Sequence, residues 1–473
     1  MPKEIAISAP FIVWLRRDLR LADHAALSAA AAAGPVIVVY VLDDAGAGRR
    51  KLGGAARWWL HHSLAALAHD LATHGQRLIL RRGDAAQAIA ALVAETGASE
   101  VHAIRHYEPW WRAAEVALAK RVMLNLHDGN YLLPPGRVLT GGDQPYKIFT
   151  PFYRAALGHL PPPQPLPVPQ MTAPSGWPRS DDLDAWQLLP TAPDWAGGMR
   201  AAWQPGEAAA ADRLGTFLDQ VGEYETARNL PSIDGSSRLS PHLHWGEISP
   251  ATVWHALDGR SGEGVTSFRR ELVWRDFAQN VIAQFPGYGN ESYRPEYRGL
   301  AWRDPATDKA AAADLKAWQQ GRSGYPIVDA GMRQLWATGW MHNRVRMIAA
   351  SFLIKHLLID WREGERWFWD TLFDADYGSN SVNWQWVSGS GVDASLFSRI
   401  MAPLVQSPKF DAAGYIREWV PELAGLAQAD IHDPVFRPAS YPAQIIGHRE
   451  ARERALAAYR EVKSDLLRIA GPG

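Results

Sequence analysis

Six of the nine residues from Pro161 to Pro169 are proline. A run like this forms neither helix nor central strand, because each proline lacks a backbone N–H and fixes φ. It divides the chain into two parts with different patterns. Before it, short β-branched runs alternate with alanine-rich stretches. From about residue 201 the pattern is helical to the end.

In the first part, Phe11–Leu15, Val36–Leu42, Arg77–Leu80 and Glu100–Ile104 read as strands. Residues 23–33, 55–73, 84–95 and 112–121 read as helices. Strand and helix in repeated alternation imply a parallel sheet with crossover helices. No G-x-G-x-x-G follows the first strand, so the dinucleotide fingerprint is absent. The expected organisation is an α/β domain over 1–130, a linker packed across a surface over 131–200, and an all-α domain over 201–473. Trp177, Trp186 and Trp195 argue against a solvated linker. In the helical part, Ser240-Pro241 and Ser249-Pro250 each read as a hydroxyl N-cap followed by proline at the first helical position.

Composition removes several function classes. The 473 residues contain no cysteine, which excludes disulfides, thiolate metal sites and cysteine nucleophiles. Lys plus Arg number 49 against 50 Asp plus Glu, so a nucleic-acid partner requires the cations to gather on one face. No segment reaches the roughly 18 apolar residues of a membrane span, and a cytoplasmic protein is expected. The 22 tryptophans exceed both Phe and Tyr. Most are expected to fill a core, and a few to serve a flat ligand or carry electrons.

Three stretches carry chemistry. Ser236-Ser237-Arg238-Leu239-Ser240-Pro241 gathers hydroxyls and a cation before a helix, which suits either a diphosphate or simple capping. In Trp340–Met347, Asn343 and Met347 share a helix face, while Arg344 and Arg346 are expected to point elsewhere, partly buried and paired. Asp374 and Asp376 have no histidine at ligand spacing, so no metal site is expected and Asp374 is assigned to a buried arginine. Asn380 offers donor and acceptor to a heteroaromatic ring.

From Phe11 to about residue 460 the chain resembles the photolyase/cryptochrome family. The resemblance rests on Trp14 to Arg20, Phe149-Thr150-Pro151-Phe152, Ser236 to Ser240, Gly324 to Ala330, Gly339 to Arg346, Asp360-Trp361-Arg362 and Asn383 to Trp386. It implies an α/β domain with a parallel Rossmann-like sheet, a long linker and an all-α C-terminal FAD-binding domain. It implies that Tyr224, Ser236, Ser237, Arg238, Leu239 and Ser240 hold the phosphates and ribitol of FAD. Trp274, Asn343, Arg346, Asp374, Asp376 and Asn380 would surround the rest, with Asn380 facing flavin N5 where plant cryptochromes carry aspartate.

The resemblance also implies UV-damaged DNA as substrate, in the manner of the bacterial class I enzymes that repair cyclobutane pyrimidine dimers. Glu271, Trp274, Asn343, Met347 and Trp386 would form the lesion cavity. Six-four photolyases have histidines at the positions of Asn343 and Met347. DNA contacts would come from Arg228, Arg275, Arg344, Arg399 and Lys409. Trp384 and Trp361 match the inner members of the family's electron chain. Asp308 stands at the outer position, leaving Trp302, Trp318 or another donor to replace it. A second antenna chromophore (deazaflavin, flavin or folate) is common in the family, and Trp111 stands where folate-binding relatives have glutamate. Met401-Ala402 replaces a phenylalanine and asparagine found in many relatives. Nothing calls for more than a monomer. The alternatives are a cryptochrome-type photoreceptor and a six-four photolyase.

Overall fold

The computed structural model describes residues 9–394 and 397–470, with side chains through residue 462. Five parallel strands form one sheet in the order β3-β2-β1-β4-β5. They are β1 (Phe11–Leu15), β2 (Val36–Leu42), β3 (Leu78–Arg82), β4 (Glu100–Ile104) and β5 (Leu124–His127). All seven residues of β2 are buried, as a continuous apolar run in a doubly covered sheet requires. Helices Ala25–Ala33 and Gly54–Thr73 contribute to the core on one face, and Ala85–Thr96 and Pro109–Ala119 to that on the other.

Three of the four expected strands match the structure. The third is shifted, because pairing of Val38 to Leu42 with Leu78 to Arg82 extends it through two arginines. The edge strand β5 escapes the sequence reading. Its four residues, Leu-Asn-Leu-His, are too few and too mixed to stand out.

Trp14 to Arg20 fastens the sheet to the helical part. Arg16 pairs with Glu115 at 2.6 Å and Arg17 with Glu108 at 2.9 Å. Burial opposes ionisation of Asp18, but hydrogen bonds with His106 and His24 outweigh it and hold the carboxyl well below its usual range. Arg20 donates to Asn130 Oδ1 and to the Gly246 carbonyl, both at 2.9 Å. At Gly246, φ is 67° and an added Cβ would lie 2.2 Å from the Arg17 carbonyl oxygen, so only glycine permits this approach.

Residues 131–200 touch both parts. Leu132, Leu133, Phe149 and Phe152 enter the helical core. Trp186 and Met199 enter one sheet core, with Trp195 packed against it, while Trp177 packs against the other. A helix, Phe149–Ala156, lies within this stretch. Its buried Phe149, Phe152 and Ala156 recur at helical spacing.

The helix Glu263–Gln284 packs against Phe149–Ala156, Tyr224–Ala227 and Tyr377–Ser388. Ser249 caps its helix as expected, accepting from Thr252 N at 2.9 Å. Ser240 does not, because Leu239 occupies the cap position and Ser240 is already helical. Among the described residues no helix is long and apolar enough to cross a membrane, and no group of side chains has a metal-ligand arrangement.

Candidate functional site

A cavity of about 310 Å³ opens among the helices. Glu271 and Trp274 reach it from Glu263–Gln284. Asn343, Arg346 and Met347 reach it from Asn343–Ser351, and Asn380, Trp384 and Trp386 from Tyr377–Ser388. Asp374 lines it from the segment before the last helix. Arg346 was expected to point away from the Asn343–Met347 face. It reaches the cavity because positions i and i+3 also share a helix face.

Arg346 is fixed on three sides. Its Nη1 and Nη2 donate to the two oxygens of Asp374, each at 2.9 Å, and its Nε donates to the Met341 carbonyl at 2.7 Å. The Asp374 side chain is only 4% exposed, so loss of Arg346 would strand a buried carboxylate. Asn380 Nδ2 donates to the Glu365 carbonyl at 3.1 Å and to Glu365 Oε1 at 2.8 Å. Glu365 Oε1 also accepts from Arg50 at 2.5 Å, tying this amide to the α/β domain.

The aromatic walls are equally fixed. Trp274 meets Phe149 edge to face at 4.7 Å. Trp384 meets Phe368 at 5.0 Å. An added Cβ on Gly364 would lie 2.1 Å from the Trp384 ring, so the helix Trp361–Thr371 lies directly on that indole.

Tyr224, Ser236, Ser237, Arg238, Leu239, Ser240 and Asp376 do not line this cavity. Arg238 holds a positive φ of 51° and pairs with Asp234 at 2.9 Å. Arg238 and Arg346 both lie over the Trp340 ring, at 5.4 and 5.9 Å, so Trp340 joins the serine-rich turn to the cavity. Trp340 Nε1 also donates to Ser240 Oγ at 3.4 Å. Tyr224 is buried under Arg228. Asp376 caps the last cavity helix, accepting from Ser379 N at 2.8 Å and Gln279 Nε2 at 2.9 Å.

The expected DNA-contacting cations divide. Arg344, Arg399 and Lys409 line a cleft of about 630 Å³ that shares Met347 with the cavity. Arg228 is held by Glu271 at 2.5 Å. Arg275 turns inward, donating to the Leu243 carbonyl at 3.1 Å and covering Tyr131, so it is not placed at the mouth.

The expected electron carriers also divide. Trp384 and Trp361 are buried, and Trp361 Nε1 donates to Ser292 Oγ at 3.2 Å. Trp318 cannot serve as an outer member. It is fully enclosed, 6.4 Å from Trp384 and bonded to the Ala349 carbonyl. Trp302 is partly buried against the helical core.

Two features were missed by sequence reasoning. Trp336 lies flat on Trp367 at 5.8 Å with an 8° interplanar angle, and Trp336 is 56% exposed. The high tryptophan count was the only available signal. His342 is 3% exposed, and neither ring nitrogen has a partner. Burial, helped by the Arg344 and Arg346 cations, pushes its pKa down to about 4 and keeps the ring neutral. Its signal was its place between Trp340 and Asn343. His342 does not line the cavity, whereas the Asn343 amide, a fixed polar edge at Arg346–Asp374 and aromatic walls together suit a flat heteroaromatic ligand.

The chain is similar to known proteins over nearly its whole length. Residues 11–170 match the family model for DNA photolyase, and residues 268–461 that for the FAD binding domain of DNA photolyase. The chain is 47% identical over 480 residues to a deoxyribodipyrimidine photo-lyase of Agrobacterium fabrum, covering 96% of this chain and 98% of that one. It is 35% identical to cryptochrome-1 of Arabidopsis thaliana over 94% of this chain and 69% of that one. A crystal structure described as a bacterial class III photolyase from Agrobacterium tumefaciens superposes with a TM-score of 0.91 at 47% identity, covering 98% of this chain and 100% of that one. The expected class I character therefore gains no support from this structural relative. The chain belongs to the DNA photolyase family, with FAD as its cofactor.

Proposed function

We propose that this protein is a monomeric enzyme that repairs cyclobutane pyrimidine dimers in UV-damaged DNA under blue light. The observation that carries the reading is the cavity composition, with Asn343 and Met347 one helical turn apart between Glu271, Trp274 and Trp386. Residues 1–130 serve as the antenna-type domain, 131–200 as the linker and 201–473 as the catalytic domain.

The residues fit FAD. Arg346, Asp374, Asn343 and Asn380 would hold the polar edge of its ring system, and Ser236 to Ser240 with Tyr224 its phosphates and ribitol. When bound and reduced, FAD supplies the electron that splits the dimer on absorbing light and recovers it afterwards.

This chain does the rest. A dimer stacked in duplex DNA cannot reach an interior cavity and must be flipped out, as in photolyases generally. Trp274 and Trp386 flank the extruded pair. Glu271, oriented by Arg228, hydrogen-bonds the base edge and stabilises charge developing there. Met347 and the aromatic walls exclude water. Arg344, Arg399 and Lys409 hold the flanking phosphates. Trp384 begins the route that resupplies electrons, and the exposed Trp336–Trp367 stack offers it an exit to solvent.

The test is repair of a defined thymine dimer by reduced protein, in light and in darkness. Light-only repair supports the reading. FAD photoreduction without repair would move the protein to a photoreceptor role, and repair of a six-four product alone to that substrate.

A further inference from the structure

A second cleft, of about 480 Å³, lies at the carboxyl ends of β4 and β5 and shares no lining residue with the cavity. Arg105 follows β4, Arg112 sits in the first turns of Pro109–Ala119, and Arg137 belongs to the loop after β5. All three are exposed, and among the described residues none of their side chains has an ion pair or hydrogen bond. The contrast with Arg16, Arg17 and Arg20 nearby is sharp, since all three of those are buried and bonded. Of the two acids in the cleft, Glu115 is taken up by Arg16, leaving only Asp128 to oppose three cations.

A further observation points to a ligand. From the helix Glu263–Gln284, Asn280 and Gln284 also line the cleft and spend their amide N–H groups on the Tyr146 carbonyl, which leaves side-chain oxygens to accept from a ligand. The site thus has a cationic end and an amide-lined end. Its volume falls within the roughly 300–1,000 Å³ of small-molecule sites, and ligands of open α/β sheets bind outside the carboxyl ends of strands.

We propose that this cleft binds a nucleoside 5′-phosphate. The guanidinium groups hold the phosphate in paired hydrogen bonds, and the Asn280–Gln284 end accepts from the sugar or base.

The test is equilibrium dialysis of ADP against full-length protein whose flavin site is saturated with FAD. One ADP per chain is expected, with adenosine and inorganic pyrophosphate each binding more weakly by about tenfold or more. The double variant Arg112→Gln, Arg137→Gln should weaken ADP binding by about tenfold or more and leave flavin absorbance and photorepair unchanged. Absence of ADP binding at millimolar concentration overturns the proposal, as does undiminished binding by the double variant. Pyrophosphate binding as tight as ADP would reduce the cleft to a bare anion site. Displacement of ADP by undamaged duplex DNA would reassign the arginines to the DNA face.

Discussion

Asn380 is oriented by Glu365, whose carbonyl and carboxylate both accept from the same amide nitrogen. With Nδ2 committed, the Asn380 side-chain oxygen is the group left for a cavity ligand. Glu365 in turn leans on Arg50, so a contact between the α/β and helical parts fixes the amide beside the cavity.

Glu365→Gln tests this chain of contacts. The substitution keeps the shape but removes the charge that holds Arg50, whose side chain is only 12% exposed. Stability is expected to fall by about 1–3 kcal/mol, read from the denaturant midpoint. The absorbance of bound FAD should shift as Asn380 loses its fixed orientation. An unchanged midpoint and spectrum would show that Glu365 does not position the amide.

Electron resupply makes a separate prediction. Trp384→Phe should abolish photoreduction while chemically reduced protein still repairs. On the proposed route, Trp336→Phe should slow photoreduction only partly, because the proposed step from Trp384 to Trp361 stays open. Loss of repair by the reduced Trp384→Phe protein would indicate damage to the cavity itself. An unaltered rate in Trp336→Phe would remove the surface stack from the route.

Much of this arrangement was legible in the sequence. Strands such as Val36–Leu42 declare themselves because burial on both faces demands an unbroken apolar run. Asn343 and Met347 could be placed on one face from helix spacing alone, and Asp374 could be assigned to an arginine. What stayed hidden depends on partners distant in sequence. Arg275 reads as one more surface cation, and only the fold reveals that the Leu243 carbonyl and Tyr131 draw it inward. Trp318 reads like any other tryptophan until its burial against Trp384 rules out a role at the surface. Ser240 illustrates a local miss, since a Ser-Pro pair marks a helix start without fixing which residue is the cap.

DNA binding should separate two kinds of cation. Arg399 and Lys409 are exposed beside the cavity, so each alanine substitution should lower the slope of log affinity against log salt by about 0.9. Arg228 is already matched by Glu271. Arg228→Ala should therefore change that slope less, yet lower repair yield because Glu271 loses its orientation. Binding isotherms at several salt concentrations, paired with repair assays, make the distinction. Equal slope changes at all three positions would place Arg228 on the phosphate path instead.

Asp276 sets a pH dependence of stability. It is fully buried, accepts from Leu133 N at 2.8 Å through one oxygen, and leaves the other without a partner. Burial pushes its pKa up to about 7 from an ordinary value of 3.8. Because the folded value is the higher one, the stabilising contribution is complete below the ordinary value, where both states are protonated. It is lost as pH rises toward 7, since the unfolded chain ionises while the folded protein must keep the proton. Above pH 7 the folded carboxyl ionises too and the slope disappears. Asp276→Asn keeps an acceptor for Leu133 N and removes the titration. Relative to the parent, the variant should gain on the order of 2–4 kcal/mol between pH 4 and pH 8. Urea midpoints across that range supply the measurement. Parallel profiles for the two proteins would mean that Asp276 does not hold its proton in the folded state.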